Sequence, residues 1–432
     1  MPSKFITDLT AVFRSKVFNI ILSIATGIIY ARVLGPEGDG LLAGVLIYPA
    51  IFISFSTLGL RQSAVYFIGN GTEPTKKIVS SILTVWILTS IVSVIACAYI
   101  LKFIAGNSYS TIMIALAVSA IPFMLYKDYM SGILLGKDDI KRFANITWLS
   151  GFFRLLGAIL FVWYFEMGVL GALIAPVFVG VTMSLILTNL VRRYTEFSLS
   201  FNKEIIKRMV ALGIVYSISL FVINLNYKVD RMLLEYLSTP FELGIYTRGV
   251  GLVERIWQIP LLLGTIIFAG SANAKNSLKY SIKVAKLLRV SLLVCFLALC
   301  FLALFSSQIV NILYGIEYEN SAIIIRILAP GILFMVFFKV LNMDLAGRGK
   351  PWLALIAMGP SVLINIALNI FFIPKYGASG VAIASTISYS IGSFIFLFVY
   401  SNNTGLSVKD ILMYKYDDFH VLIQKVKRLK KR

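Results

Sequence analysis

Arg248 and Arg255 stand seven residues apart inside 241–270, FELGIYTRGVGLVERIWQIPLLLGTIIFAG, a stretch apolar and long enough to cross a bilayer. A charge at membrane depth costs about 2.5–3.5 kcal/mol on insertion scales, so a helix that carries one usually faces a water-filled cavity or a partner rather than lipid. If the stretch is one α-helix, the two guanidinium groups fall about 20° apart around its axis, and Gly244 and Gly251 lie within roughly 60° of the same line. That pattern suits an anion-binding wall flanked by residues without bulk. It also suits an ion pair, Arg255 with Glu254 or across to another helix, that only fixes packing. Arg154, Arg326 and Lys339 lie at comparable depth, and Glu254 is the one acid that the sequence places there. Five embedded cations cost about 12–17 kcal/mol together. Packing alone would call for roughly matching acids, so the excess positive charge is read as functional. Lys339 has a second reading, snorkelling to the cytoplasmic surface. The chain has one histidine, His420, and three cysteines, Cys97, Cys295 and Cys300, all three in apolar runs. No metal site, cofactor, disulfide or catalytic group is expected from so sparse a set.

The elements that must hold these charges are membrane helices. The 432 residues are 59% hydrophobic and 14% charged, against about 25% charged in soluble domains. The expected fold is an all-α polytopic membrane protein. Apolar windows place twelve spans, near 14–34, 39–59, 78–101, 109–135, 143–165, 168–191, 207–227, 242–269, 288–306, 322–343, 352–373 and 378–400. Residues 1–16 read as an amphipathic segment at the interface, and the run from Val17 to Leu34 is too long for a cleaved signal. Of the 40 Lys and Arg, thirty fall in one set of loops and the tail; Arg32, Lys102, Lys228, Arg231 and Lys375 fall in the opposite set. The positive-inside rule then puts both termini in the cytoplasm. It also absorbs most of the +20 net charge, leaving no case for nucleic acid. The KVKRLKKR run at 425–432 reads as contact with anionic lipid head groups.

The chain repeats itself once. Gly168-Val-Leu-Gly171-Ala-Leu-Ile-Ala175 matches Gly377-Ala-Ser-Gly380-Val-Ala-Ile-Ala384; Gly136-Lys137 matches Gly347-Arg348; Pro36-Glu-Gly-Asp-Gly40 matches Pro240-Phe-Glu-Leu-Gly244. The order is kept and the offsets run from 204 to 211. Six spans per repeat is an even number, so two six-helix bundles related by a pseudo-twofold along the membrane normal are expected. The lobes are placed at 1–200 and 201–400, with a basic cytoplasmic tail at 401–432. Pro49, Pro122, Pro176, Pro260, Pro330 and Pro360 lie inside spans, where Pro260 and Pro330 are candidate hinges or ordinary tolerated prolines.

Arg32-Val-Leu-Gly-Pro-Glu-Gly-Asp-Gly40 resembles the A-R-x-L-G-P-E-x-x-G signature of polysaccharide flippases. Leu58-Gly-Leu-Arg-Gln62, Val229-Asp-Arg-Met-Leu-Leu234 and Gly244-Ile-Tyr246 extend the resemblance over the twelve spans. The chain looks like a Wzx-type O-antigen flippase of the multidrug/oligosaccharidyl-lipid/polysaccharide (MOP) superfamily. The resemblance implies two lobes around a cationic cavity in a bacterial inner membrane. It also implies a cargo of undecaprenyl-pyrophosphate-linked oligosaccharide, translocated for surface polysaccharide synthesis, with a polysaccharide polymerase and chain-length proteins as candidate partners. On that reading Arg248 and Arg255 hold the pyrophosphate, helped by Arg154 and Arg326, while Arg61 guides entry at the cytoplasmic mouth. Tyr216, Tyr227 and Trp257 are candidate sugar-stacking rings. Asp230 and Arg231 form a gate pair or, as the favoured reading, an exposed salt bridge. Glu254 carries a coupling proton or neutralises an arginine. A multidrug exporter of the same superfamily needs acids for organic cations, and a membrane polymerase or ligase needs a large outer loop and an acid or base. The sequence favours neither, and unbalanced buried charge makes a purely structural role uneconomical.

Overall fold

Long apolar runs with few interruptions leave the backbone no partner but itself, and helices satisfy it internally. The computed structural model describes residues 4–106, 109–274, 276–414 and 418, without the side chains of 4–7, 9, 215, 216, 219, 220, 265 and 269. The Tyr216 ring, His420 and the basic run 425–432 therefore lie outside the described residues.

The described residues form helices α1 (Lys4–Ser56), α2 (Leu60–Gly69), α3 (Thr75–Phe103), α4 (Thr111–Gly136) and α5 (Ile140–Gly157), the last continued by a π-helical turn, Ala158–Tyr164. Then come α6 (Gly168–Val191), α7 (Lys203–Asn226), α8 (Val229–Leu237), α9 (Pro240–Val253), a 3₁₀ turn (Glu254–Trp257) and α10 (Gln258–Ala272). The rest are α11 (Ser277–Leu304), α12 (Ser306–Leu313), α13 (Ser321–Gly347), α14 (Leu353–Thr404) and α15 (Val408–Leu412). Among the described residues, 9 helical stretches are long and apolar enough to cross a membrane, and the protein is a multi-pass membrane protein.

Two of the helices are far longer than the roughly 20 residues that a bilayer core needs: α1 has 53 and α14 has 52. Each is broken by one glycine, Gly35 (φ 65°, ψ 176°) and Gly377 (φ 52°, ψ −131°). Side chains rarely tolerate such angles, and Pro36 then opens the second half of α1 with its φ already set.

The chain packs as two compact units, Met1–Ile245 with Leu313–Glu317, and Tyr246–Ile312 with Tyr318–Arg432. In the first, α4 runs through the core, where Ile121, Leu125 and Tyr129 meet Cys97, Met183 and Leu187, all fully buried. Close helix contact is made at glycines: a Cβ on Gly132 would lie 2.8 Å from the Arg61 carbonyl, and one on Gly59 2.0 Å from the Gly213 carbonyl. In the second, α13 packs against α10, α11 and α14. Its fully buried Asp344 accepts from Ser271 Oγ (2.6 Å), Ser281 Oγ (3.0 Å), Tyr400 Oη (2.6 Å) and Arg348 Nε (2.9 Å). A buried carboxylate so supplied with donors ties four segments together.

The sequence matches also agree in local geometry. Gly168 and Gly377 are both left-handed, φ 56° and 52°. Gly171 and Gly380 each press on a phenylalanine carbonyl, of Phe161 and Phe372. Gly136 closes α4 and Gly347 closes α13, with Lys137 and Arg348 as the caps. Pro36–Gly40 and Pro240–Gly244 pack on each other: a Cβ on Gly40 would lie 1.7 Å from the Pro240 carbonyl, and one on Gly244 2.0 Å from the Pro36 carbonyl.

Candidate anion-binding chamber

The first unit gathers cations that the sequence scatters. On α5, Phe143, Ile146, Thr147, Ser150 and Arg154 recur at helical spacing and face one way. Asp139 starts this helix: its Oδ1 accepts from the Arg142 amide (3.3 Å), and its Oδ2 takes Arg142 Nη1 (2.6 Å) and the Tyr194 hydroxyl. Burial pushes the Asp139 carboxyl up, but the bonds from Tyr194 and Arg142 outweigh it and hold the group below its ordinary value. Opposite, α4 presents Lys127, Asp128 and Ser131, and α1 presents Asn19. Gly151 makes room for Asn19, whose Oδ1 would lie 2.4 Å from a Cβ there.

Arg61 arrives from α2 by a device visible in the Leu58-Gly-Leu-Arg-Gln62 motif. The chain turns sharply between α1 and α2 with Leu58 (φ 46°) and Gly59 (φ 63°) both left-handed. Tyr129 Oη donates to the Ser56 carbonyl (2.7 Å) before the turn, and Ser63 Oγ donates to the Met209 carbonyl (2.6 Å) after it. A left-handed leucine costs about 1–3 kcal/mol and persists only where its surroundings impose it. The turn aims Arg61 at Asp128 (Nη1–Oδ1 3.4 Å) and over the Phe143 ring, 5.3 Å from its centroid.

These side chains line a cavity of about 270 Å³ holding Asn19, Arg61, Lys127, Asp128, Ser150 and Arg154. A second cavity of about 440 Å³ shares Arg61, Lys127 and Asp128 with it and adds Ser54, Asn224 and Lys228. Lys127 Nζ donates to Ser150 Oγ (3.3 Å), Lys228 Nζ to the Ala50 carbonyl (2.8 Å), and Asn224 Nδ2 to Ser54 Oγ (3.2 Å). Four cations thus face one acid, Asp128, among the described lining residues. Arg154 forms no ion pair with a described carboxylate, and Asn19 Oδ1 is buried with no hydrogen-bond partner. Hydroxyls, an amide and fixed positive charge around a hollow suit an anion that also carries hydroxyl groups.

Of the expected site residues, Arg61 and Arg154 meet here. Arg248, Glu254, Arg255, Arg326 and Lys339 belong to the second unit, and Asp230 and Arg231 to the first. The stretch 241–270 is not one helix, as the angle between Arg248 and Arg255 assumes: α9 ends at Val253 and a 3₁₀ turn intervenes. Pro260, third in α10, lacks the amide that would continue the α-helical ladder through this turn. Arg248 and Arg255 are half-buried, Arg255 Nε donates to the Gly251 carbonyl (2.9 Å), and the Cβ position of Gly251 opens on free space. Arg326 is exposed, held by Ser306 Oγ and Ser307 Oγ at 2.8 Å each. Lys339 does not snorkel: it is 8% exposed, with Nζ 4.0 Å from the Trp257 ring centroid.

Three expectations are corrected. Asp230 is fully buried, so no exposed salt bridge involves it; its Oδ1 takes the Arg231 amide at 2.7 Å. Glu254 is not the only acid inside, since Asp39, Asp230, Glu235 and Asp344 are buried too. Glu235 accepts from Tyr48 Oη (2.5 Å) and Tyr109 Oη (2.8 Å). Lys127 is not a loop residue but lies inside α4; Lys228 is in the turn between α7 and α8, as expected, and both line the chamber. A Lys-Asp pair more than two turns inside an apolar span is the signal that would have found Lys127.

A family model described as "Polysaccharide biosynthesis protein" matches residues 7–268. A Shigella flexneri protein named "Putative O-antigen transporter" is 24% identical over 397 residues, 86% of this chain and 91% of its own length. The solved structure "Lipid II flippase MurJ, inward closed conformation" superposes with a TM-score of 0.76 at 17% identity, over 96% of this chain and 95% of its own. An inward-facing multidrug resistance MATE family transporter of the MOP superfamily gives 0.74 at 17% identity, over 90% and 94%. At such identities the two structures speak for a shared fold. The family match covers more than half of the chain and takes in Arg61, Lys127, Arg154 and Lys228; the chain belongs to the polysaccharide biosynthesis protein family.

Proposed function

We propose that this protein is a flippase. It moves a lipid-linked oligosaccharide from the cytoplasmic to the outer leaflet of a bacterial inner membrane by alternating access. The reading is supported by the family, by the O-antigen transporter named among its relatives and by the flippase among its structural neighbours. The observation that carries it is the chamber of Arg61, Lys127 and Arg154, with Asp128 as the one acid among its described lining residues.

The cargo we infer is an undecaprenyl-pyrophosphate-linked repeat unit. Its prenyl tail can stay in hydrocarbon, and the protein need only shelter the pyrophosphate and glycan. Arginine stays charged at depth, and its planar fork binds phosphate oxygens in pairs. Arg61 and Arg154 act as such forks, and Lys127 adds a point charge between them. Lys228 and Asn224 meet the sugar next to the phosphate. Arg248 and Arg255 are proposed phosphate ligands of the second unit, with Arg326 and Lys339 as weaker candidates. Glu254 and the Asp230–Arg231 pair are proposed for coupling or gating.

Twelve crossings in two six-span repeats, with both termini cytoplasmic, fit this reading. At 53 and 52 residues, α1 and α14 are each long enough for two crossings on either side of the kinks at Gly35 and Gly377, and Gly168 and Gly377 share a positive φ. A polysaccharide polymerase and chain-length proteins are proposed partners. The alternative, a multidrug exporter, has the fold likeness in its favour, but the chamber repels an organic cation. Replacing Arg61 and Arg154 with alanine in a host that depends on this protein tests the choice. The flippase reading expects loss of surface polysaccharide at normal protein level and no change in resistance to ethidium-like cations. Intact polysaccharide with altered resistance would replace it with the exporter.

A further inference from the structure

Away from the chamber, α1 and α5 enclose a second cleft at their N-terminal ends. Ala11, Arg14, Ser15 and Phe18 recur at i, i+3, i+4 and i+7 on α1, and Lys141, Asn145 and Trp148 at i, i+4 and i+7 on α5. The faces bound a cavity of about 390 Å³. Its chemistry is graded. Arg14 and Lys141 stand at the end nearer the helix starts. Phe18 and Trp148, packed edge to face at 6.0 Å, stand one to two turns further in. Among the described residues, no carboxylate lines it. The contrast with the neighbouring residue is informative: Arg142 is engaged by Asp139 and Tyr194, whereas Arg14 and Lys141 form no ion pair with a described residue. Around the cleft, Phe13, Phe18 and Ile21 are 48%, 52% and 56% exposed, as expected of a surface that meets lipid.

We infer that this cleft binds the head group of an anionic phospholipid, with the phosphate between Arg14 and Lys141 and an acyl chain along Phe18 and Trp148. The gradient from charge to aromatic surface matches a membrane-anchored phosphate. A free phosphate shares only the charged half of that chemistry. A lipid held there bridges α1 to α5, the two helices that also carry Asn19 and Arg154. The site is independent of the flippase reading, because it shares no residue with the chamber.

The full chain, purified and stripped of lipid, is offered phosphatidylglycerol, phosphatidylcholine or inorganic phosphate, and retained ligand is read by native mass spectrometry. Phosphatidylglycerol is expected to be retained over phosphatidylcholine and not displaced by millimolar phosphate. Arg14→Gln with Lys141→Gln is expected to weaken retention roughly thirtyfold, the worth of two basic residues at an anionic surface. Lys203→Gln with Lys207→Gln, at exposed positions elsewhere, is expected to change it less than threefold. Equal binding of the two lipids, equal loss in the two variants, or displacement by phosphate would each overturn the proposal. A second readout needs no charge variant. Brominated phosphatidylglycerol is expected to quench the emission of Trp148, identified by its loss in Trp148→Phe, and unquenched Trp148 would also overturn the site.

Discussion

Arg154 is the side chain whose position says most about binding. It projects from the last turn of α5 into a hollow whose one acid among the described residues, Asp128, is paired with Arg61. Hydrogen bonds to charged groups are worth about 1.5–3 kcal/mol. Arg154→Ala is therefore expected to weaken binding of a short-chain prenyl pyrophosphate about ten- to a hundredfold, measured on the purified protein. Arg154→Lys should recover part of this, because it keeps the charge and loses the fork. Asp139 gives a pH-dependent test. Its carboxyl is held below its ordinary value when folded, so the stabilisation is present above the unfolded value, near 3.9, and fades as pH falls through the lower folded one. Asp139→Ala should cost about 1 kcal/mol, as loss of a helix cap does, at neutral pH, and less near pH 3, in thermal unfolding. Arg61 and Arg154 were legible as embedded or mouth-facing cations. Lys127 and Lys228 were not: Lys127, more than two turns inside α4, reads in the sequence as one of the loop bases, and Lys228 sits in the turn before α8, where only the fold shows what it faces. Only the turn at Leu58 and Gly59 and the break after Asn226 carry them to one hollow.

At the scale of elements, the motif glycines are places where backbones touch. A Cβ on Gly59 would collide with the Gly213 carbonyl, and Gly59 is left-handed. Gly71 has nearly the same φ, 62°, with nothing within 4 Å. Gly71→Ala should thus cost only the backbone strain, about 1 kcal/mol. Gly59→Ala should cost that and also separate α2 from α7, lowering the folded yield in a fluorescence-detected size-exclusion assay and moving Arg61. Equal effects of the two substitutions would remove the close contact from the account. The segment carrying α15 is fastened differently. Arg289, 3% exposed, meets Asp418 through Nε (2.6 Å) and Nη2 (2.8 Å) and also donates to the Asp410 carbonyl (2.8 Å). Removing one member of a buried pair costs about 3–5 kcal/mol. Arg289→Ala should show this in thermal or denaturant unfolding, with Arg289→Met plus Asp418→Leu closer to the wild type. Apolar windows found α3, α4, α6 and α13 to within a few residues, placed the start of α11 eleven residues late, and did not foresee the short helices α2, α8, α12 and α15. They missed the 3₁₀ turn at Glu254–Trp257, because an apolar window is blind to a missing amide at Pro260, and Asp230 reads as exposed in the sequence because burial depends on neighbours brought by the fold.

For the whole molecule, hydropathy was enough to identify a multi-pass membrane protein, since no other fold class hides so much apolar surface. The three short matches from which we propose the repeat include Gly168 and Gly377, which share a positive φ, 56° and 52°, that few other residues adopt. The charge balance was legible only in part. The sequence placed one acid at depth, while the fold buries Asp230, Glu235 and Asp344 against hydroxyl and amide donors. What distinguishes the chamber is therefore that Arg154 forms no ion pair among the described residues, not a chain-wide shortage of acids. The most direct test of the account is which leaflet holds the lipid-linked oligosaccharide in cells lacking this protein. The account predicts accumulation on the cytoplasmic face, relieved by the wild-type chain and not by a chain with Arg61→Ala and Arg154→Ala expressed at equal level. Accumulation of unpolymerised units on the outer face would contradict it and place the protein after translocation.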